Sequence, residues 1–280
     1  MTGLPAQTLH IHSDFVDGAD SLGAMAEAAM RAGLSSIGFS EHGHVPPQAA
    51  FAPGEDACWL TGADTPRYFA QAHAVQAAFA GRLEIFVGLE QDSYGVLPAE
   101  PLAYRIGSVH LLPGEAGLFS VDAGRETLLR EIRRSFGGDP LRLAARYYAD
   151  VAAFAARCRP DILGHIDLIT KFDESGALFD EAGRAYRTLA LDAVDAAVDA
   201  GCIIEINTGA IARGYRKTPY PRRFLLERVR ARGGRIVLSS DAHSAAGVAC
   251  GLAEAAELAR SVGFAEYQLL TRNGFAPAPL

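Results

Sequence analysis

Two imidazoles, His10 and His12, stand one residue apart near the start of the chain. On an extended strand, residues i and i+2 point to the same face. Both rings can then reach one metal ion while Ile11 turns the other way. Such a pair carries weight only if other ligands arrive at the same place. The apolar runs downstream supply them. Ser36–Phe39 leads into Ser40-Glu41-His42, and Ile85–Leu89 leads into Glu90. Ile106–Val109 ends at His110, Ile162–Gly164 at His165, and Ile236–Leu238 is followed by Asp241-Ala242-His243. Six of the eight histidines sit at the ends of predicted strands. His73 lies in a helical pattern and reads as a bystander, and His44 reads as a neighbour of the site or as loop surface. Imidazoles mixed with carboxylates suit zinc, iron or manganese. Burying so many such groups together requires a compensating positive charge. After His12, Asp17-Gly18 predicts a tight turn that aims the Asp17 carboxylate back at the same face.

The elements that must position these groups follow from periodicity. Strands are predicted near 8–12, 35–40, 83–90, 104–110, 161–166, 202–207 and 235–240, with an eighth near 267–270. Helical spacing predicts helices near 21–33, 65–80, 140–157, 181–200, 221–232 and 246–262, the first capped by Ser21. Alternation of strand and helix argues for parallel strands joined by helical crossovers. In a parallel barrel the C-terminal strand ends share one face, where active sites are built. Two stretches read as long loops and candidate site walls: 43–64, with Pro46, Pro47, Pro53 and Gly54, and 111–139, with Pro113-Gly114 and Phe136-Gly137-Gly138-Asp139. No linker or repeat divides the chain, so residues 1–280 are expected to form a single domain.

Composition narrows the function classes. The 280 residues are 49% hydrophobic and carry 26 Lys+Arg against 33 Asp+Glu, a net charge of −7. No basic stretch suits a phosphate backbone, so a nucleic-acid partner is not expected. No apolar run approaches the ~18 residues of a membrane span. Residues 1–5 lack the basic and apolar regions of a signal peptide. The four cysteines, Cys58, Cys158, Cys202 and Cys250, form no Cys-x-x-Cys and suggest a cytoplasmic setting. Nothing in the composition signals an oligomer.

At these residues the chain resembles the PHP (polymerase and histidinol phosphatase) superfamily. The matching pieces are His10-Ile11-His12, Asp17-Gly18, Ser40-Glu41-His42, Gly88-Leu89-Glu90, Gly107-Ser108-Val109-His110, Gly164-His165 and Ser240-Asp241-Ala242-His243. The histidinol-phosphate phosphatase branch is resembled further through Phe136–Asp139, Gly164–Ile169 with Lys171-Phe172, Glu205–Gly209, Gly214-Tyr215-Arg216 and Pro219-Tyr220-Pro221. The resemblance implies an α/β fold, a distorted TIM-like (β/α)7 barrel holding two to three divalent metal ions. It implies that His10, His12, Glu90 and Asp241 hold the first ion. Glu90 would bridge to a second, completed by His110 and His165. Asp17, His42 and His243 would hold a third. The implied reaction is hydrolysis of L-histidinol phosphate, a step of histidine biosynthesis. Paired ions lower the pKa of a shared water, and the leaving alkoxide must gain a proton. Glu90, as the bridge, with Asp241 and His243 beside the reacting groups, are the candidate catalytic residues. Arg213, Arg216 and Lys171 are candidate phosphate contacts, because guanidinium matches phosphate bidentately and Lys serves as a point charge. Asn207, at a strand end, is expected to hydrogen-bond in the site. Tyr147 and Tyr148 either touch the substrate imidazole or pack.

Three other readings compete. A PHP phosphoesterase for another small phosphate ester or nucleotide would keep the barrel and the metals. A non-enzymatic metal-binding module would be expected to have lost ligands, yet all nine positions carry them. An amidohydrolase-type barrel also begins with His-x-His, but commonly bridges its metals with a strand-end lysine. The only lysines here, Lys171 and Lys217, lie beyond strand ends.

Overall fold

The computed structural model describes residues 5–46, 49–52 and 58–280. Pro47, Pro53 and Gly54 of the first predicted loop, and residues 1–4, lie outside the described residues. In chain order the elements are β1 (Gln7–Thr8), α1 (Leu22–Arg31), β2 (Ser36–Phe39), α2 (Asp64–Ala78), β3 (Glu84–Val87), β4 (Leu89–Asp92), β5 (Arg105–Ser108), β6 (Leu111–Gly114), β7 (Gly117–Ser120), α3 (Arg125–Ser135) and α4 (Pro140–Cys158). There follow β8 (Ile162–Leu163), α5 (Arg184–Asp199), β9 (Ile203–Asn207), α6 (Gly209–Ala212), α7 (Arg223–Ala231), β10 (Ile236–Ser239), α8 (Leu252–Val262), β11 (Glu266–Thr271) and β12 (Gly274–Pro279).

Parallel ladders join β1 to β2, β2 to β3, β4 to β5, β5 to β8, β8 to β9 and β9 to β10. The predicted strand 83–90 is one stave broken at Gly88, whose halves β3 and β4 pair with different neighbours. Around the break, Glu90 and His42 form a bridge, with Glu90 N donating to Glu41 O (3.0 Å). The ring closes where Ile11 bridges Ala242: His12 N donates to Ala242 O (2.9 Å) and Ala242 N to His10 O (3.2 Å). Seven staves therefore enclose the barrel. The predicted eighth, 267–270, belongs instead to an antiparallel hairpin, β11 with β12. It covers the N-terminal end of the barrel, where Gln7 trades hydrogen bonds with Leu270 N and O (2.8 and 3.0 Å).

The predicted loop 111–139 contains a hairpin, β6 with β7, and the helix α3. Its apolar signal is weak, because α3 buries little beyond Leu128 and Ile132 and is otherwise strongly charged. Pro113 is tolerated because β6 pairs on one side only, within a two-stranded sheet.

Side-chain alternation separates the two sides of the wall. Ile203 faces the barrel interior with Leu9, Phe86, Tyr104, Ile106, Ile162, Val237 and Leu270, whereas Ile204 and Ile206 pack outward among the helices. The interior is thus apolar toward the N-terminal strand ends and polar toward the other end. Tyr104 fills the middle. Its hydroxyl donates to Leu9 O and to Phe39 O (3.1 Å), tying staves from within. Gly38 and Gly88 exist to admit it. A Cβ at Gly38 would lie 2.2 Å from the Tyr104 hydroxyl, and one at Gly88 2.7 Å from the Tyr104 carbonyl oxygen. Gly88→Ala is expected to lower the unfolding midpoint, at a cost of about 1–3 kcal/mol for overpacking. An unchanged midpoint in urea or thermal unfolding would contradict this packing.

Candidate metal centre

All nine predicted ligands converge at the C-terminal strand ends. His10 and His12 extend from β1, His42 follows β2, and Glu90 lies in β4. His110 follows β5, His165 follows β8, and Asp241 and His243 follow β10. Asp17 comes from the β1–α1 turn, and its Oδ2 lies 3.1 Å from His243 Nε2 and 3.7 Å from His42 Nε2. Glu90 is the hub. Its Oε2 lies 2.9 Å from His42 Nδ1, 3.3 Å from His10 Nε2 and 3.6 Å from His12 Nε2. Its Oε1 lies 3.0 Å from His165 Nε2 and 3.5 Å from His110 Nε2, and accepts from Ser108 Oγ at 2.6 Å.

Ligand atoms come within metal-binding spacing in four groups: His10, His12 and Asp241; His10, Glu90 and His165; His42, Glu90 and His110; and His12, Asp17, His42 and His243. The first holds three of the four ligands expected for the first site, and His110 and His165, expected to share the second, fall in different groups. Glu90 joins the second and third groups, in keeping with a bridging role. The fourth gains His12 beside the three expected ligands. The buried atoms themselves match cation binding. His10 Nε2, both nitrogens of His12, His42 Nδ1 and Glu90 Oε2 have no hydrogen-bond partner, a costly state for buried polar atoms unless a cation fills it. The set of imidazole nitrogens and carboxylate oxygens therefore fits two to three divalent ions of the zinc, iron or manganese type.

Charge is distributed accordingly. Burial opposes ionisation of Glu90, but His10, His110 and His42 hold its carboxyl well below the ordinary range. Burial likewise opposes ionisation of Asp241, and His10 and Arg213 outweigh it. Burial disfavours the charged form of His10, but Glu205, Glu90 and Asp241 together raise it well above an ordinary imidazole. His42 is raised in the same way by Glu90 and Asp17. His12 is pushed down to about 3 by burial and by its neighbours His243 and His42.

A second layer fixes the ligands. Glu205, in the middle of β9, accepts from His10 Nδ1 (2.7 Å), so the imidazole turns Nε2 toward the centre. Its other oxygen accepts from His165 N (3.0 Å) and Asn207 Nδ2 (2.9 Å). Asp92 accepts from His110 N (2.8 Å), and Ser13 Oγ donates to Glu41 (2.5 Å) behind His12. Burial raises the Glu41 carboxyl to about 8. Asp241 has φ 46°, a left-handed conformation, and a Cβ at Gly209 would lie 2.6 Å from its carboxylate. Asp20 accepts from Ala245 N (2.8 Å), tying the turn that carries Asp17 to the segment after His243, while Ser21 caps α1.

The centre opens into a cavity of about 240 Å³ lined also by Trp59, Ser120, Asp122, Leu168, Lys171 and Arg213. Arg213 Nη2 lies 3.2 Å from Asp241 and Nη1 3.1 Å from His243. Lys171 Nζ donates to Asp122 (2.9 Å), whose carboxyl stays well below the ordinary range, against burial, through Lys171 and His110. Asn207 and Arg216 stand behind this wall. The Asn207 amide is occupied by Glu205, Asp241 (3.3 Å) and Gly209 N. Arg216 is buried against Thr170 (2.6 Å), Glu174 (3.7 Å) and the Tyr220 ring. Tyr147 and Tyr148 pack in the core, the latter hydrogen-bonded to Tyr186 (2.8 Å). His73 is an exposed helical residue, and His44 bonds the Leu60 carbonyl oxygen (2.9 Å).

Sequence reasoning assigns no role to Glu205, Asp92 or Glu41, although they stand at or near strand ends, and does not single out Asp122 or Trp59. Glu205 had a signal, a lone carboxylate among isoleucines in a strand. Asp92 had one as well, two residues beyond Glu90 on the same strand. Asp122 and Trp59 lie in segments read as loops, where periodicity gives no direction.

Residues 8–209 match the PHP domain. A Deinococcus radiodurans protein named "Probable histidinol-phosphatase" is 34% identical, the match covering 85% of this chain and 86% of that protein. The Bacillus subtilis histidinol-phosphatase is 27% identical, over 85% of this chain and 94% of its own. Among solved structures, a HisK protein of Listeria monocytogenes aligns with a TM-score of 0.77 at 17% identity, over 89% of this chain and 99% of that one. The histidinol phosphate phosphatase of Lactococcus lactis, solved with zinc, L-histidinol and phosphate, aligns with a TM-score of 0.70 at 20% identity, over 98% and 100%. These two structures share the fold of this chain.

Glu205→Gln is expected to weaken metal binding roughly 10–100-fold, as loss of an outer partner does. Full affinity in a metal titration would contradict the bracing role. Because His10 and His42 are held charged without metal, ions must displace their protons. Metal affinity is therefore expected to fall as pH falls into and below the raised range of these two imidazoles. A pH-independent affinity would contradict it.

Proposed function

The chain belongs to the PHP domain family, and from that premise we propose that it is a metal-dependent phosphomonoesterase that hydrolyses L-histidinol phosphate to L-histidinol and phosphate. The observation that carries the proposal is the cluster of six buried or nearly buried histidines around Glu90 and Asp241, opening on a cavity that also presents Lys171 and Arg213. The curated relatives named histidinol-phosphatase support the substrate. The divalent ions would be held by His10, His12, Asp17, His42, Glu90, His110, His165, Asp241 and His243, and when bound they supply positive charge and an activated water for attack on phosphorus.

The chain's own groups do the rest. Glu90 offers one carboxylate oxygen to each side of the centre and so fixes the spacing of the two halves. Arg213 presents its guanidinium at the cavity wall, where two N–H groups can take two phosphoryl oxygens. Lys171 adds a point charge on the same wall. Asp241 and His243, 3.5 Å apart, would both be engaged as metal ligands beside the departing alkoxide oxygen, so the proton that oxygen needs would come from water. Asn207 and Arg216 act from behind, Asn207 by bracing Asp241 and Arg216 by anchoring the segment that follows β9. The small ester, and not a nucleic acid, is the partner in this reading, because the chain is acidic. No helix among the described residues is long and apolar enough to cross a membrane. The cysteine pattern supports a cytoplasmic setting, and residues 1–280 are taken as one domain.

The test is phosphate release from a panel of phosphate esters, before and after exhaustive chelation. L-Histidinol phosphate is expected to give the highest kcat/KM, and chelation to abolish turnover. His12→Ala and Glu90→Ala are each expected to lose metal and to fall by more than the roughly 10–100-fold that loss of an outer partner costs. Turnover that survives chelation, or a clear preference for a nucleotide or sugar phosphate, would overturn the assignment.

A further inference from the structure

We propose that Asp122 selects substrates that carry an ammonium group beside the phosphate ester. The inference rests on the phosphomonoesterase reading above. Four carboxylates line the cavity among the described residues: Asp17, Glu90, Asp241 and Asp122. The first three belong to the histidine cluster. Asp122 does not. It comes from the turn after β7, on the hairpin side of the opening, and its side chain is 22% exposed. Its Oδ1 accepts from Ser120 Oγ (2.6 Å) and its Oδ2 from Lys171 Nζ (2.9 Å). A carboxylate offers about four lone-pair positions, so two such bonds leave it able to accept a further cation.

Lys171 is set equally firmly. Its Nζ also donates to the Asp122 carbonyl oxygen (3.2 Å) and stands 5.0 Å from the centre of the Tyr215 ring. One wall of the cavity therefore presents a fixed anion and a fixed cation in contact. An amino-alcohol phosphate carries the same two signs a few bonds apart. With its phosphate toward the metal ligands and Arg213, its ammonium would meet Asp122, which lines the same cavity. An ester without the amine makes no such contact. Discrimination then comes from a charge-assisted hydrogen bond that only one of the two substrates forms.

The rival role for Asp122 is structural, a strap joining the hairpin to the turn after β8. Asp122→Asn separates the two, because its single amide oxygen can still accept from Lys171 while its Nδ2 donates to Ser120 Oγ, but it lacks the charge. The metal-loaded protein is assayed with L-histidinol phosphate and with imidazolylpropyl phosphate, which lacks the amine. Binding of L-histidinol and of imidazolylpropanol is measured by calorimetry. The wild type is expected to favour the amine in both measurements. In Asp122→Asn that preference is expected to shrink roughly 10- to 100-fold, and Asp122→Glu is expected to restore part of it. Equal effects on the amine and amine-free compounds would overturn the proposal. If neither ester is hydrolysed, the phosphomonoesterase reading fails, and calorimetry with L-histidinol still decides the role of Asp122.

Discussion

A carboxylate buried among imidazoles needs positive charge nearby, and the architecture around Glu90 is organised by that need. Glu90 has no accessible surface and receives histidines on both oxygens. It holds this position because its stave breaks at Gly88, passing from a ladder with β2 to one with β5. The break in turn exists because Tyr104 fills the barrel beneath it. Packing in the lower half of the barrel thus determines where the charge sits in the upper half. The energetic cost of burying Glu90, Asp241 and six imidazoles becomes tolerable only when cations complete the set.

The second layer shows how such a set keeps its geometry. Glu205 touches both His10 and the backbone of His165, so one buried carboxylate coordinates two staves. Asn207 relays the same stave to Asp241, whose left-handed backbone is held against Gly209. Local strain at Asp241 is compensated by these contacts and by the Ile11–Ala242 bridge that closes the ring. Closure of the barrel and aim of the ligands are therefore one structural event.

Much of this was legible in the sequence, for identifiable reasons. Each ligand ends or follows an apolar run, so strand periodicity and parallel topology were enough to bring His10, Glu90, His165 and Asp241 together. Asp17 was legible because Asp-Gly marks a turn. The strand near 267–270 is present as β11, and only its pairing with 274–279 shows that it belongs to a hairpin outside the seven staves. The helix α3 was missed because its buried face is too narrow to stand out from its charges. Asn207 and Arg216 were expected at the substrate because their residue types suit it. Their burial against Glu205 and Thr170 places them one layer back, which no linear pattern encodes.

The wall of the cavity has a different origin from its floor. The floor ligands extend from staves whose hydrogen bonds also close the barrel. Asp122, Lys171 and Arg213 belong instead to the hairpin side and to segments after β8 and β9. The two sets hang from different segments and meet where Arg213 contacts Asp241 and His243. The molecule is thus modular within a single barrel: changes in the connecting segments can retune which ester is admitted while the ladders of the ligand-bearing staves stay as they are.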